Sequence, residues 1–175
     1  MKKADHAEKF CPIARTLAVL EDSWSFLILR NAFLGARRFS DFERQLGLTR
    51  HLLSARLGAL VEHGILRKTA SAQDQRAFDY TLTEKGLALY PVIVSLSEWG
   101  RAHTLEGDGP FDYIHATGCG APMRPQLCCS ECGEPIGPHD VSVSASFTLR
   151  ERLAGLTEEA AERELGYPVP AVESV

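Results

Sequence analysis

The chain has 175 residues, of which 45% are hydrophobic and 24% are charged, and its formal net charge is −4. This composition is ordinary for a soluble globular chain of one domain or slightly more. No run approaches the ~20 apolar residues of a membrane span, and the N-terminus lacks the apolar core of a secretory signal. We therefore expect a cytoplasmic protein with no membrane partner, whose thiols stay reduced.

The charge is divided unevenly along the chain. Residues 1–103 hold 15 Lys and Arg against 11 Asp and Glu, a net charge of +4, whereas residues 104–175 hold 4 against 12, a net charge of −8. The mildly basic N-terminal part and the acidic C-terminal part are therefore expected to have different functions. We predict four segments: a folded region at 1–104, a Gly/Asp/Pro linker at 105–110, a cysteine-containing β-rich segment at 111–147 and an acidic helical tail at 148–175 with a flexible end.

Two helices are predicted near the start of the chain. Pro12 suits the first turn of a short helix, and a strongly apolar second helix, roughly Ser23–Leu34, is expected to be the buried support of the fold. Cys11 precedes the first helix and has two interpretations. It is either a small buried residue or a reactive thiol, because a helix N-terminus and the nearby Lys9 and Arg15 favour the thiolate, which could sense oxidants or electrophiles.

Residues 38–64 have the pattern of two short helices joined by a tight turn. Ser40 and Glu43 predict a capping box at the start of the first helix, Ser40–Leu46. Thr49 opens the second helix, which ends near His63. One side of the second helix is an apolar stripe that we expect to be buried: Leu53, Leu57, Leu60 and Val61. The opposite side carries small residues, which would let this helix lie close to the floor of a DNA major groove.

A β-hairpin is predicted after the second helix, because β-branched and aromatic runs flank a polar middle. Helices, turn and basic hairpin together form the layout of a winged helix-turn-helix DNA reader, a mainly α fold with a small β-hairpin wing. The first turns of a recognition helix reach base edges, so base reading is predicted for Arg50, His51 and Ser54. Contacts to phosphate are predicted for Arg37, Arg38, Thr49, Arg56, Arg67, Lys68 and Arg76. A small helix-plus-hairpin domain with no DNA role is the alternative.

Residues 83–103 predict one long helix that begins at Thr83 and is bent at Pro91. Its apolar residues surround much of its circumference, which is more apolar surface than one small core covers. A second copy of the chain would cover the excess, and a homodimer would read two half-sites related by a two-fold axis. Alternatively, this helix covers only its own domain.

Six short motifs carry a family resemblance: Cys11-Pro12-Ile13, Trp24–Arg30, Arg38–Phe42, Leu53–Leu57, His63–Arg67 and Asp79–Gly86. With them, residues 10–103 resemble the HxlR-type family of bacterial winged-helix transcriptional regulators. The resemblance implies a dimeric repressor or activator that binds inverted-repeat DNA. It also implies redox sensing at Cys11, since several family members use the cysteine of that motif as an oxidant or electrophile sensor. The chain departs from the family at Gly58, where Arg or Lys is usual, and at residues 72–75 of the wing, where many members carry proline.

Four of the five cysteines follow the linker. Cys129-Ser130-Glu131-Cys132-Gly133 is a C-x2-C-G turn of the type that presents two thiolates to one metal, and His115 with Cys119-Gly120 forms an H-x3-C-G arrangement upstream. We predict a zinc-ribbon-like site that holds one zinc ion per chain. Its tetrahedral ligands would be His115, Cys119, Cys129 and Cys132. Two alternatives stay open: a β-hairpin with reduced cysteines, and a redox pair formed by Cys129 and Cys132. Cys128 could also replace a neighbour as ligand.

The sequence has no Gly-rich phosphate loop, no nucleophile elbow and no helical H-E-x-x-H. We therefore expect no enzyme and no organic cofactor. The prediction is a regulator that binds double-stranded DNA as a homodimer, toggled by an oxidant at Cys11, by a small aromatic effector between the dimer helices, or by metal. The alternative is a protein-interaction adaptor with a degenerate winged helix and a metal-binding C-terminal module.

Overall fold

The structure is a computed structural model that describes residues 10–20, 22–72, 74, 76–106, 109–165 and 168–169. Lys9, part of the predicted linker and the predicted flexible end of the tail lie outside the described residues. The described residues fall into two compact units, one of residues 20–125 and the other of residues 10–19 with residues 126–169. The predicted segment 111–147 contributes to both units. None of the helices described in the chain combines the length and apolarity that a membrane crossing requires.

The helices and strands are named here in chain order. The first seven elements are helices α1 (Pro12–Leu20), α2 (Ser23–Phe33), α3 (Phe39–Leu46) and α4 (Arg50–Glu62), strands β1 (Leu66–Ala70) and β2 (Phe78–Leu82), and the one-turn helix α5 (Glu84–Leu87). The remaining elements are helix α6 (Tyr90–Thr104), strands β3 (Tyr113–Ile114) and β4 (Pro122–Met123), and helices α7 (Phe147–Leu153) and α8 (Glu158–Leu165).

Helix α2 is the buried support, as the sequence predicts. Asp22 precedes it in an extended conformation, and its Oδ1 accepts hydrogen bonds from the backbone amides of Trp24 and Ser25 at 3.1 and 3.2 Å. These bonds satisfy two of the amides that the start of a helix leaves free. Ile28 and Leu29 are fully buried in the helical core.

Helix α3 begins one residue earlier than predicted, and its capping differs. The cap residue is Arg38, and the Asp41 carboxylate accepts a hydrogen bond from the Arg38 backbone amide at 3.0 Å. The predicted capping box of Ser40 and Glu43 is therefore wrong. Because the helix begins at Phe39, Ser40 lies inside the first turn and is not the cap residue, and Asp41 takes the third helical position that the box assigned to Glu43. The amide of Arg38, with smaller contributions from Arg37 and Arg44, lowers the pKa of Asp41 below its usual value.

Helix α4 follows the prediction closely. The Thr49 hydroxyl accepts a hydrogen bond from the backbone amide of Leu52. Leu53, Leu57 and Leu60 are buried and Val61 is half-buried. At Gly64 the chain leaves the helix with φ of +68°, a left-handed conformation that glycine adopts without a steric penalty.

The wing is an antiparallel hairpin in which Leu66 pairs with Leu82 and Ala70 pairs with Phe78. The residues before α3 extend this sheet, since the Tyr80 amide donates to the Arg37 carbonyl at 2.8 Å and Arg38 bridges to Asp79. Tyr80 is buried edge-to-face against Phe42 of α3, with ring centroids 6.5 Å apart. The fold is therefore mainly α with a small β-hairpin wing, as predicted.

The long helix predicted from Thr83 is two helices. Helix α5 ends after one turn, and Pro91 lies in the first turn of α6. Proline has no amide hydrogen and clashes with the preceding turn, so it starts a new helix here where we predicted a bend. Thr83 connects three segments. Its hydroxyl donates to the Gly64 carbonyl at 2.6 Å and accepts from the Gly86 amide at 3.1 Å, as the cap of α5.

The second unit has a small core of its own. Ala145, Leu149 and Leu165 are buried there, and Phe10, Leu153 and Val169 pack against them. The guanidinium groups of Arg15 and Arg152 lie 6.0 and 4.9 Å from the centre of the Phe10 ring. The aromatic ring thus joins the start of the described chain to the helical tail through apolar and cation–π contacts.

Candidate nucleic-acid interface

The first turns of α4 present the predicted base-reading residues to solvent. Arg50, His51 and Ser54 are exposed, and together with Phe39 they line one shallow concave surface. The Arg50 side chain is 80% exposed, with its guanidinium 5.4 Å from the centre of the Phe39 ring and 3.8 Å from a Glu43 carboxylate oxygen. These contacts orient the arginine and leave its guanidinium accessible, a geometry that suits bidentate bonding to a guanine edge.

The rest of the outer face of α4 is small. Ala55 and Gly58 are exposed, and a Cβ added to Gly58 would meet no atom within 4 Å. The glycine is therefore not required by packing within the described fold. A small exposed face fits the close approach that major-groove binding demands.

Several of the predicted phosphate-contacting residues are exposed at the edges of this face. Arg37 precedes α3, Arg67 and Lys68 lie on β1, and Arg76 lies in the wing turn. The Lys68 ammonium is 4.2 Å from the centre of the Phe78 ring, which supports its stem along the hairpin. Positive charge is thus distributed along both the helix-turn-helix and the wing.

Two other arginines that we predicted to contact phosphate form ion pairs with carboxylates. Nε of Arg38 is 2.7 Å from Oδ1 of Asp79, and a guanidinium nitrogen of Arg56 is 2.7 Å from Oδ2 of Asp22. All four side chains are about a quarter exposed. The sequence analysis did not identify these acidic partners, because they are distant in sequence from the arginines they bind.

The Thr49 hydroxyl, also predicted at phosphate, is the acceptor that caps α4. Its proton remains available for donation, since a hydroxyl accepts and donates at once.

Cys11 is half-buried at the start of α1. Together with Phe10, Pro12 and Arg15 it lines a cavity of about 230 Å³.

The predicted metal ligands occur in two separate turns. Nδ1 of His115 lies 3.9 Å from the sulfur of Cys119 in the first turn. In the second, hydrogen bonds from the amide of Cys132, the amide of Glu131 and the thiol of Cys132 lower the pKa of Cys129. Within the described ranges, no cluster of three or more His, Cys, Asp or Glu side chains could hold a metal ion. The assignment of all four residues to one zinc ion stays a prediction.

A cavity of about 290 Å³ lies between α2, α6 and the residues that follow α6, inside the unit of residues 20–125. Its lining is largely apolar and aromatic and includes Phe26, Ile93 and Phe111. Arg101 and Arg124 also line it, and both pair with Glu98 at 2.6 and 3.1 Å. The sequence analysis missed this cavity, because its walls come from segments far apart in the chain.

Comparison with known proteins finds related transcriptional regulators. Rv3095 of Mycobacterium tuberculosis, an uncharacterised HTH-type transcriptional regulator, is 36% identical over 142 residues, which cover 81% of this chain and 90% of the relative. The crystal structure of PA1607, a proposed transcription factor, matches with a TM-score of 0.73 at 35% identity, covering 81% of this chain and 99% of that chain. The oxidised form of the redox regulator HypR matches with a TM-score of 0.50 at 28% identity, covering 55% and 100%.

The relatives are transcriptional regulators and not enzymes, as the sequence predicts. The profile of the HxlR-like helix-turn-helix family matches residues 19–108, which include the support helix, the helix-turn-helix, the wing and α6. The chain belongs to the HxlR-like family of helix-turn-helix transcriptional regulators.

Proposed function

We propose that the protein acts in the cytoplasm as a homodimer that binds an inverted-repeat operator and thereby controls transcription. The observation that supports this most directly is the exposed start of α4. There Arg50, His51 and Ser54 share one surface beside a face of small residues. Direct readout requires such a combination of polar side chains that reach base edges and a helix that fits the groove.

Phosphate contacts are assigned to the basic residues around this surface. In our proposal Arg37, Thr49, Arg67, Lys68 and Arg76 contact the sugar–phosphate backbone and set the position of α4 without reading sequence. Arg38 and Arg56 already pair with Asp79 and Asp22. We therefore propose that these two arginines orient the wing and the recognition helix.

The homodimer is supported by exposed apolar residues. On α6, Val92, Leu96 and Trp99 are 46, 51 and 59% exposed. On α1, Ile13 and Leu17 are 72 and 49% exposed. Large apolar side chains at helical spacing on exposed faces favour a protein–protein interface, and a second copy of the chain would supply the two-fold symmetry that an inverted repeat requires.

The signal that changes DNA affinity is proposed to act at one of two sites. The cavity at α2 and α6 has the size and aromatic lining that suit a small aromatic ligand, and its arginines suit an acidic group on that ligand. Cys11 is the proposed site for an oxidant or electrophile, and the likeness to the redox regulator HypR supports that second route.

The experiment that tests the proposal is fluorescence anisotropy with the DNA upstream of the protein's own gene and with a scrambled duplex, across a salt series. We expect tight binding to the upstream DNA alone, with an affinity that falls steeply as salt rises. The matched control is Arg163→Ala, which removes a positive charge from the tail, and it should leave the salt slope unchanged. Equal, weak binding to both duplexes would overturn operator reading and favour an adaptor role.

A further inference from the structure

The cavity beside α6 has three apolar or aromatic walls inside the unit of residues 20–125. Helix α2 contributes Phe26, and α6 contributes Ile93. The residues after α6 form the third wall with Phe111 and Tyr113, whose rings meet edge to face with centroids 5.6 Å apart. This third wall lies outside residues 19–108, to which the family profile matches. The lining is therefore not fixed by the shared helix-turn-helix domain alone.

The charged groups of the cavity carry an excess of positive charge. Among the described residues, Arg30, Arg101 and Arg124 line it together with a single carboxylate, that of Glu98, so the formal charge of the lining is +3 − 1 = +2. Oε1 of Glu98 lies 2.6 Å from Nη2 of Arg101, and its Oε2 lies 2.9 Å from Nε of Arg101 and 3.1 Å from Nη1 of Arg124. Arg124 is also 3.9 Å from Oδ1 of Asp112. Two of the three arginines therefore already have a carboxylate partner.

Arg30 differs from the other two arginines. Its Nε donates to Oδ1 of Asn31 at 2.9 Å, and in the part of the chain that the structure describes its guanidinium has no carboxylate partner. Asn31 is 4% exposed, and its Nδ2 donates to Oε1 of Gln45 on α3 at 3.0 Å, which fixes the amide with its oxygen towards Arg30. A neutral acceptor thus orients the half-buried Arg30 and leaves its positive charge without an acidic partner among these residues.

We propose that this cavity binds an aromatic carboxylate, with the acid group on Arg30 and the ring between the apolar walls. This inference rests on the proposed function, in which the cavity is one of two signal sites, and it names the ligand class and the residue that binds its charge. The terminal nitrogens of a guanidinium form two parallel hydrogen bonds with a carboxylate. The volume of about 290 Å³ exceeds the roughly 150 Å³ of an engineered cavity that holds benzene, so one or two rings with an acid group fit.

A side chain from a second copy of the protein is the other occupant to consider. Leu96 lines the cavity and also belongs to the exposed face of α6 that we assign to the dimer. An apolar side chain from the partner would cover Arg30 without neutralising its charge, and taking a charge out of water without a partner is costly. An aromatic acid matches both the walls and the charge, so we favour it as the occupant.

Isothermal titration calorimetry of the full-length protein without DNA tests the role of Arg30. Benzoate and 1-naphthoate are compared with benzamide and 1-naphthamide, which have the same rings and no charge. We expect at least one acid to bind roughly 10- to 100-fold more tightly than its amide, the ratio that one charge-assisted hydrogen-bonded pair supplies. Arg30→Gln should remove this preference, and Arg44→Gln, at an arginine 71% exposed and outside the cavity, should keep it. Acids that bind no better than their amides, or an undiminished preference in Arg30→Gln, would overturn the proposal.

A second pair of variants tests the location of the bound acid. Ser97 lines the cavity, so Ser97→Phe should fill it with a ring and abolish binding of the acid. Ser95→Phe is the matched control, because two residues correspond to about 200° around a helix and place Ser95 on the opposite side of α6. Binding that survives Ser97→Phe would place the acid elsewhere and overturn the proposal.

The titrations separate this inference from the proposed function because they contain no DNA. A protein that binds its operator and neither acid would contradict the ligand assignment alone. A protein that binds an acid through Arg30 and shows no preference for its operator would contradict operator reading alone.

Discussion

The carboxylate of Asp22 serves two helices at once. One oxygen caps α2, and the other lies 2.7 Å from the guanidinium of Arg56 on the recognition helix. We predict that Asp22→Asn, which keeps a capping oxygen and removes the charge, costs about 1 kcal/mol of stability, and that Asp22→Ala costs about 2–3 kcal/mol because it also removes the cap. Urea unfolding measures both.

Arg56→Gln is the control for the ion pair. It should cost about as much as Asp22→Asn, and the double variant should cost less than the sum of the two, because the pair can be lost only once. Strict additivity would contradict an interaction between the two side chains.

Replacing Arg50 should separate base reading from phosphate contact. We expect Arg50→Ala to lose about 1–3 kcal/mol of binding energy on the operator and to relax specificity at one base pair, because a bidentate contact to guanine is lost. Lys68→Ala should weaken specific and random DNA alike and reduce the salt slope by about one. Anisotropy titrations on both duplexes measure the difference, and equal losses on both for Arg50→Ala would refute base reading.

Two glycines should respond oppositely to alanine. Gly86 is buried, and its added Cβ would come within 2.3 Å of the Ile65 carbonyl oxygen, so Gly86→Ala must displace backbone and is expected to destabilise the fold by roughly 1–3 kcal/mol. At Gly58 the added Cβ meets nothing within 4 Å, and Gly58→Ala should stabilise α4 by about 0.5–1 kcal/mol. Thermal and urea unfolding give the signs, and a destabilised Gly58→Ala would contradict the open surface around this position.

Glu98 should make the stability of the fold depend on pH in the acidic range. The hydrogen bond from Arg101, with a smaller contribution from Arg124, lowers the pKa of Glu98 from 4.5 to about 2. A carboxylate with a lowered folded-state pKa stabilises the fold above pH 4.5, and this contribution is lost as the pH falls towards 2. We therefore expect the stability difference between wild type and Glu98→Gln to be largest above pH 5 and to shrink steadily down to pH 2. A constant difference across this range would contradict the ion pairs.

The exposed apolar face of α6 gives a test of the dimer. We predict that Leu96→Glu dissociates the homodimer, since burying an unpaired carboxylate in an apolar interface is strongly unfavourable. Sedimentation equilibrium should then report the monomer mass, with operator affinity reduced because one half-site is lost. Leu34→Glu is the control: Leu34 is 64% exposed outside both proposed dimer helices, and this variant should remain dimeric. A wild-type protein that sediments as a monomer would refute the proposal.

The helix-turn-helix and wing could be predicted because their signals are local. The Thr49 cap, the Leu53–Leu57–Leu60 stripe and the polar turn of the hairpin each depend on neighbours within a few residues. The break at Pro91 was mispredicted because proline suits either a kink or a first helical turn, and local sequence alone does not decide between them. The cap of α3 was mispredicted because Ser40 and Asp41 are adjacent, and both residue types favour helix starts.

The ion pairs of Arg38 and Arg56 could not be predicted in the same way. Each partner is more than thirty residues away in sequence, so only the packed fold brings the charges together. The same limit applies to the cavity at α2 and α6, whose walls come from three separate segments. Sequence patterns identify basic residues, and the fold decides which of them already have acidic partners.

Thr83 links the end of the recognition helix, the base of the wing and the start of α5 through one hydroxyl group. Bending α4 away from the hairpin would break the hydrogen bond from Thr83 to the Gly64 carbonyl. In the dimer that we propose, a regulatory signal that keeps this hydrogen bond would tilt the recognition helix and the wing together, or would change the spacing between the two recognition helices. We expect effectors to change the half-site spacing that the protein accepts, while the base preference within each half-site stays the same.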